Sequence, residues 1–255
     1  MKIISNLEYK NGLTGDIFLP ETEVPANGFP AAVLIHGGGW SMGDRYSVNG
    51  IADFLVENNF AVFNIEYRLS PQNLWPSGLE DCQDALKWLF ESDYPIDRQK
   101  IFFIGASAGG HYALIAGLTL PREMVCGIVS ISGIDDTFED YKLAPDRYDL
   151  LLGRTPSEKD LTELNPASYL TDNAPPILCT HWRLDRVVPF EACTNFEKAA
   201  TARGIKTCIY GYNYDRHCEG HDIWIPGSNP HRLHPDLEAV IAGFLKTISG
   251  VMKDA

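Results

Sequence analysis

Six short apolar runs rich in β-branched and aromatic residues recur along the chain, at 31–35, 60–67, 101–104, 128–132, 176–180 and 207–210. They are continuous and do not alternate with polar residues, the pattern of strands covered on both faces. Between them the period changes to that of a helix. The clearest case is the last, where Leu237, Val240, Ile241, Phe244, Leu245 and Ile248 recur at i, i+3, i+4, i+7 and i+8. Further helical patterns lie at 51–58, 77–91, 108–120 and 189–203, the last followed by Gly204 as a terminating glycine. Near the N-terminus, 3–9 and 13–19 flank Lys10-Asn11-Gly12, a turn sequence that predicts a hairpin.

Strands alternating with helices of this length build βαβ units. The expected fold class is therefore α/β, with a mostly parallel central sheet and helices on both faces. The 255 residues show no repeat, low-complexity tract or linker, so 1–255 reads as a single domain. The segment 134–173 is the least regular and is expected to form either a small lid or a helical excursion over the site.

A formal net charge of −13 repels phosphate backbones and argues against a nucleic-acid partner. No 18-residue apolar run is present, so no membrane span is expected. The opening Met1-Lys2-Ile3-Ile4-Ser5-Asn6 has no apolar stretch of the signal-peptide type, which predicts a cytoplasmic protein. The six cysteines form neither C-x-x-C pairs nor a disulfide framework. Several sit in apolar runs, where a reduced thiol behaves as a small hydrophobe.

Two clusters carry chemistry. Gly105-Ala106-Ser107-Ala108-Gly109 follows the strand pattern 101–104 and precedes a helical one. A nucleophilic serine on such a tight strand-to-helix turn needs a strained backbone, and a side chain at either flanking glycine would collide with neighbouring backbone. The helix that follows directs its N-terminus at the serine and favours developing negative charge there. The second cluster, His36-Gly37-Gly38-Gly39-Trp40, also ends an apolar strand. Its glycines let backbone N–H groups approach a ligand closely, as an oxyanion hole requires. The expected donors are Gly38 and Gly39, joined by Ala108. His36 is read as a structural member of the loop, and Trp40 as packing the floor or an acyl-side wall of the substrate pocket.

With these motifs the chain resembles the α/β-hydrolase fold esterases that carry H-G-G-G-W ahead of a G-x-S-x-G elbow. These comprise hormone-sensitive-lipase-like esterases and a smaller group often described as feruloyl or acetyl-xylan esterase-like. The resemblance extends to Glu66-Tyr67-Arg68-Leu69-Ser70-Pro71, Trp75-Pro76, Leu79-Glu80-Asp81-Cys82, Asn165-Pro166-Ala167-Ser168 and Ala174-Pro175-Pro176. About 30 residues precede the glycine cluster, too few for an N-terminal helical cap, which favours the smaller group with no large cap domain.

The resemblance implies the triad order serine, acid, histidine. In His181-Trp182-Arg183-Leu184-Asp185-Arg186-Val187-Val188-Pro189, Asp185 matches the acid, with Trp182 replacing the family's usual glycine. The base falls in Arg216-His217-Cys218-Glu219-Gly220-His221, where Gly220-His221 is the better match and His217 the alternative. The implied activity is a serine carboxylesterase acting on short-chain or aromatic acyl esters, including acetylated or feruloylated carbohydrate, without a cofactor. A serine peptidase or amidase on the same fold and a non-catalytic binding protein are the competing readings. A zinc site at His217, Glu219 and His221 lacks metal-helix spacing, and no metal is expected. Trp182, Trp224 and Tyr67 are further aromatic candidates for the pocket or the core.

Overall fold

The computed structural model describes residues 1–213, 220–221 and 223–250. Its elements in chain order are β1 (Lys2–Lys10), β2 (Leu13–Leu19), β3 (Phe29–Ile35), α1 (Asn49–Glu57), β4 (Ala61–Ile65), α2 (Ser77–Glu91), β5 (Ile96–Ala106) and α3 (Ala108–Thr119). They continue with β6 (Gly127–Ile131), α4 (Thr137–Leu143), α5 (Pro145–Leu152), α6 (Glu158–Leu164), β7 (Ile177–Trp182), α7 (Phe190–Thr201), β8 (Thr207–Tyr212) and α8 (Pro235–Ser249). Eight strands form one sheet in the order β1-β2-β4-β3-β5-β6-β7-β8. Strand β2 is antiparallel to both of its neighbours, β1 and β4, and every pairing from β4 to β8 is parallel.

The unbroken apolar runs have a direct physical reading here. Ala31, Val33 and Ile35 of β3 enter one core layer, and the intervening Ala32 and Leu34 enter the other. Ile101 and Phe103 of β5 likewise oppose Phe102 and Ile104. Helices α2, α3 and α7 cover the first face, and α1 and α8 cover the second. Each fully buried Val, Leu, Ile or Phe contributes about 1.5–3 kcal/mol relative to exposure, so both coats are needed to stabilise the sheet.

Two strand boundaries differ from expectation. Strand β5 starts at Ile96, because the polar run Asp97-Arg98-Gln99-Lys100 hid its first half from a search for apolar residues. Strand β4 ends at Ile65: the Glu66 N–H bonds to the Thr14 carbonyl at 3.0 Å, and the chain turns toward Arg68. Arg68 then grips the wholly buried Asp81 with Nε and Nη2, each 2.8 Å from a carboxylate oxygen. Lys10 adds a third contact at 2.8 Å. This pairing joins the 66–71 and 79–82 motifs, since a buried carboxylate must be matched.

Residues 134–173 fold as three short helices followed by a 3₁₀ turn, Pro166–Tyr169. Local chemistry sets their ends. The Asp136 side chain caps α4, Pro145 opens α5 and Gly153 at φ +69° closes it, and Ser157 with Asp160 forms a capping box on α6. Among the described residues no helix is long and apolar enough to cross a membrane.

Candidate active site

Ser107 stands between β5 and α3 with φ 56° and ψ −123°, a strained conformation for a residue bearing a Cβ. Its N–H bonds to the Ile131 carbonyl at 2.9 Å, which anchors the turn to β6. The flanking glycines are required by space. A Cβ on Gly105 would lie 2.1 Å from the Gly109 carbonyl oxygen, and one on Gly109 would lie 2.2 Å from that of Ile35. The elbow is thus pressed against the end of β3, where the 36–40 loop begins. In that loop Gly38 has φ +118° and Gly39 φ +56°, and a Cβ on Gly38 would meet the Met42 carbonyl oxygen at 1.9 Å. Among the described residues neither the Gly38 nor the Gly39 N–H has a backbone acceptor. Ala108 begins α3, where amides have no intrahelical partner.

His36 is fully buried, stacked on Tyr67 at 4.3 Å, with Nδ1 2.7 Å from the Gly37 carbonyl oxygen. Its place is inside the loop. Trp40, expected at the floor or an acyl-side wall, has φ 63°, is 0% exposed and packs edge-on against His111 and Tyr148, and it is not among the residues that line the cavity.

Asp185 follows β7 and its side chain has no exposure. Oδ1 accepts the N–H groups of Val187 at 2.8 Å and Val188 at 3.0 Å. Oδ2 lies 2.6 Å from Nδ1 of His221. A carboxylate only accepts when ionised, so Nδ1 carries the proton and Nε2 is left as the basic nitrogen. That Nε2 is buried and has no hydrogen-bond partner among the described residues. His217, Glu219 and hence the zinc alternative lie outside the described residues. Trp182, in place of the usual glycine, is the last residue of β7 and is absorbed into the core layer under α8.

Ser107 and His221 line one cavity of about 670 Å³, together with Gly38, Gly39, Trp224 and Arg147. Met42, Leu150, Val187 and Ile223 supply apolar wall. Arg147 was not legible in the sequence, because α5 lies in the segment without clear periodicity. Its Nη1 is 3.2 Å from Oδ1 of buried Asp140, and Nη2 donates to the Val187 carbonyl at 2.9 Å. Burial pushes the Asp140 carboxyl up to about 6, against the opposing pull of Arg147 and the Tyr148 hydroxyl.

A mostly parallel sheet with a serine elbow after β5, an acid after β7 and a histidine after β8 is the architecture of an α/β-hydrolase fold. The chain belongs to the BD-FAE family, whose model matches residues 15–199. Among curated relatives, Esterase LipC of Mycobacterium tuberculosis is 27% identical over 197 residues, 68% of this chain and 49% of the relative. Versiconal hemiacetal acetate esterase stcI of Emericella nidulans is 36% identical over 110 residues, 41% of this chain and 37% of the relative. The chain thus spans half or less of the length of these relatives. Among solved structures, a truncated carbohydrate esterase from gut microbiota superposes with TM-score 0.84 at 21% identity, covering 98% of this chain and 97% of that one. An acetyl ester-xyloside bifunctional hydrolase from Caldicellulosiruptor lactoaceticus superposes with TM-score 0.77 at 19% identity, covering 98% and 97%. At these identities the structural likeness concerns the fold.

Two expected outcomes test this geometry. Gly109→Ala forces backbone apart and should cost about 1–3 kcal/mol or more. Gly39→Ala meets nothing within 4 Å and carries only a left-handed backbone penalty of about 1–2 kcal/mol. Urea unfolding should place the Gly109→Ala midpoint below that of Gly39→Ala; the reverse order contradicts the packing described. Asp140, raised in the folded state, supplies stability that is fully present below its unfolded value of 3.8 and is lost as pH rises through about 6. Relative to Asp140→Asn, the wild-type chain should therefore lose on the order of 3 kcal/mol across that window. A stability difference that is flat in pH excludes the raised carboxyl.

Proposed function

We propose that the chain is a serine carboxylesterase in which Ser107 is the nucleophile, His221 the general base and Asp185 the acid that orients it. One observation carries this reading: the 2.6 Å contact between Asp185 and His221, which leaves Nε2 unpartnered beside the cavity that Ser107 also lines. His221 Nε2 accepts the Ser107 proton as Oγ attacks the ester carbonyl. The oxyanion then docks on the N–H groups of Gly38, Gly39 and Ala108. The protonated imidazole, stabilised by Asp185, returns its proton to the departing alcohol. Water, deprotonated by the same nitrogen, releases the acid from the acyl-enzyme. Every proton moves between the chain, the substrate and water, so no cofactor enters.

The substrate class is a short-chain or aromatic acyl ester, with an acetylated or feruloylated carbohydrate as the favoured form. Support comes from the mainly apolar wall, the adjacent Trp224 indole and the carbohydrate-esterase names of the structural neighbours. The described cysteines, Cys82, Cys126, Cys179, Cys193 and Cys208, are all free thiols, which supports a cytoplasmic setting.

Ser107→Ala should lower kcat on p-nitrophenyl acetate by about 10⁴- to 10⁶-fold, and abolish labelling by a fluorophosphonate probe. Wild-type turnover in the alanine variant sinks the mechanism, and an unlabelled wild-type chain favours a binding protein. A panel running from acetate to decanoate esters, methyl ferulate and acetylated xylan assigns the acyl group.

A further inference from the structure

Next to Asp185 lies a group of buried polar side chains that the proposed esterase chemistry does not use. Asp135 follows β6, His181 belongs to β7 and Cys193 to α7, and all three are fully buried. A carboxylate oxygen, a ring nitrogen and the thiol sulfur of these residues lie within 4.8 Å of one another. The Ser130 hydroxyl donates to Asp135 Oδ1 at 2.6 Å and fixes the carboxyl plane.

One atom of this group is left over. His181 Nδ1 is buried without a hydrogen-bond partner, whereas the Asp135 carboxyl is also reached by the Cys179 and Cys193 thiols. Leaving a buried polar atom unpaired costs about 1–3 kcal/mol, so a bare ring nitrogen beside a thiol and a carboxylate calls for an occupant. The His181 tautomer says what kind. Its Nε2 is 3.0 Å from the Val188 carbonyl, which can only accept, so Nε2 holds the proton and Nδ1 presents a bare lone pair. An imidazole whose N–H is held by a backbone carbonyl, with a thiol and a carboxylate within ligand range, has the usual posture of a metal ligand.

We propose that Asp135 Oδ2, His181 Nδ1 and Cys193 Sγ bind one borderline-soft divalent cation of the zinc type. The donor set of nitrogen, sulfur and oxygen suits zinc or cobalt and is wrong for calcium or magnesium, which take oxygen. Charge also balances. One thiolate, one carboxylate and a neutral imidazole cancel a dication, so the buried site carries no net charge. Binding releases the thiol proton of Cys193 to solvent. The ion would join the loop after β6, strand β7 and helix α7, the elements beneath the acid, with His181 Nε2 3.6 Å from Asp185 Oδ2. Its part is support of Asp185, with no contact to the reacting ester.

The test uses the full chain produced in cobalt-supplemented medium, kept reduced and desalted. Elemental analysis should find about one cobalt per chain, with a near-ultraviolet thiolate-to-cobalt charge-transfer band. Cys193→Ser should lose that band, while Cys208→Ser, at an exposed position, should keep it. Asp135→Asn retains the Cys179 and Cys193 thiols and should lower bound cobalt at least about tenfold, which covers the case in which Cys193→Ser does not fold. A wild-type chain holding less than about a tenth of an equivalent overturns the site. So does a band that survives Cys193→Ser and disappears in Cys218→Ser.

Discussion

A carboxylate with no exposure to water is the feature on which the arrangement of the site turns. Burying an unpaired Asp185 would cost several kcal/mol, so the chain must bring donors to it. Two come from its own loop, the amides of Val187 and Val188, and both fall on Oδ1. That leaves Oδ2 for a partner from outside the loop, and the partner is His221. The segment after β8 is thereby tied to the segment after β7, and the imidazole is held in one tautomer by the same contact.

The sheet makes this possible. Parallel strands β5, β7 and β8 all end at one edge, so residues separated by more than a hundred positions emerge side by side. At the Ser107 end the constraint is steric instead of electrostatic. Backbone of β3, the elbow and the first turn of α3 approach so closely that Gly105 and Gly109 admit no substituent. The 36–40 loop and Ser107 are therefore placed by one contact, and Asp185 and His221 by another.

The parts of this design that depend on local pattern could be read from the chain. Continuous apolar runs gave the doubly covered strands, and flanking glycines marked the elbow. Gly220 ahead of His221 distinguished it from His217 only through resemblance, since nothing in spacing alone separates the two. Other features were hidden for definite reasons. Strand β5 begins in four polar residues. Trp40 has the character of a pocket residue, yet it is wholly buried, which its position after three glycines does not reveal. The helices of 134–173 are seven or eight residues long, too short to show a period, though Asp136, Ser157 with Asp160, and Pro145 with Gly153 are legible as caps once the ends are known.

What a motif search has no means of finding is a coupling carried by main-chain atoms. Val187 donates its N–H to Asp185 Oδ1, accepts from Arg147 Nη2 with its carbonyl, and lines the cavity with its side chain. One residue therefore joins the acid, the cavity and helix α5. Arg147 is in turn held by Asp140, which shares its other oxygen with Tyr148 at 2.9 Å. A displacement of α5 must either break the Arg147–Val187 bond or move the peptide that holds Asp185. Because the bond is to a carbonyl, any residue at 187 keeps it, whereas no residue shorter than arginine at 147 spans both Asp140 and the loop. The constraint on Asp185 is thus written at position 147, in the segment of the sequence that shows the least pattern.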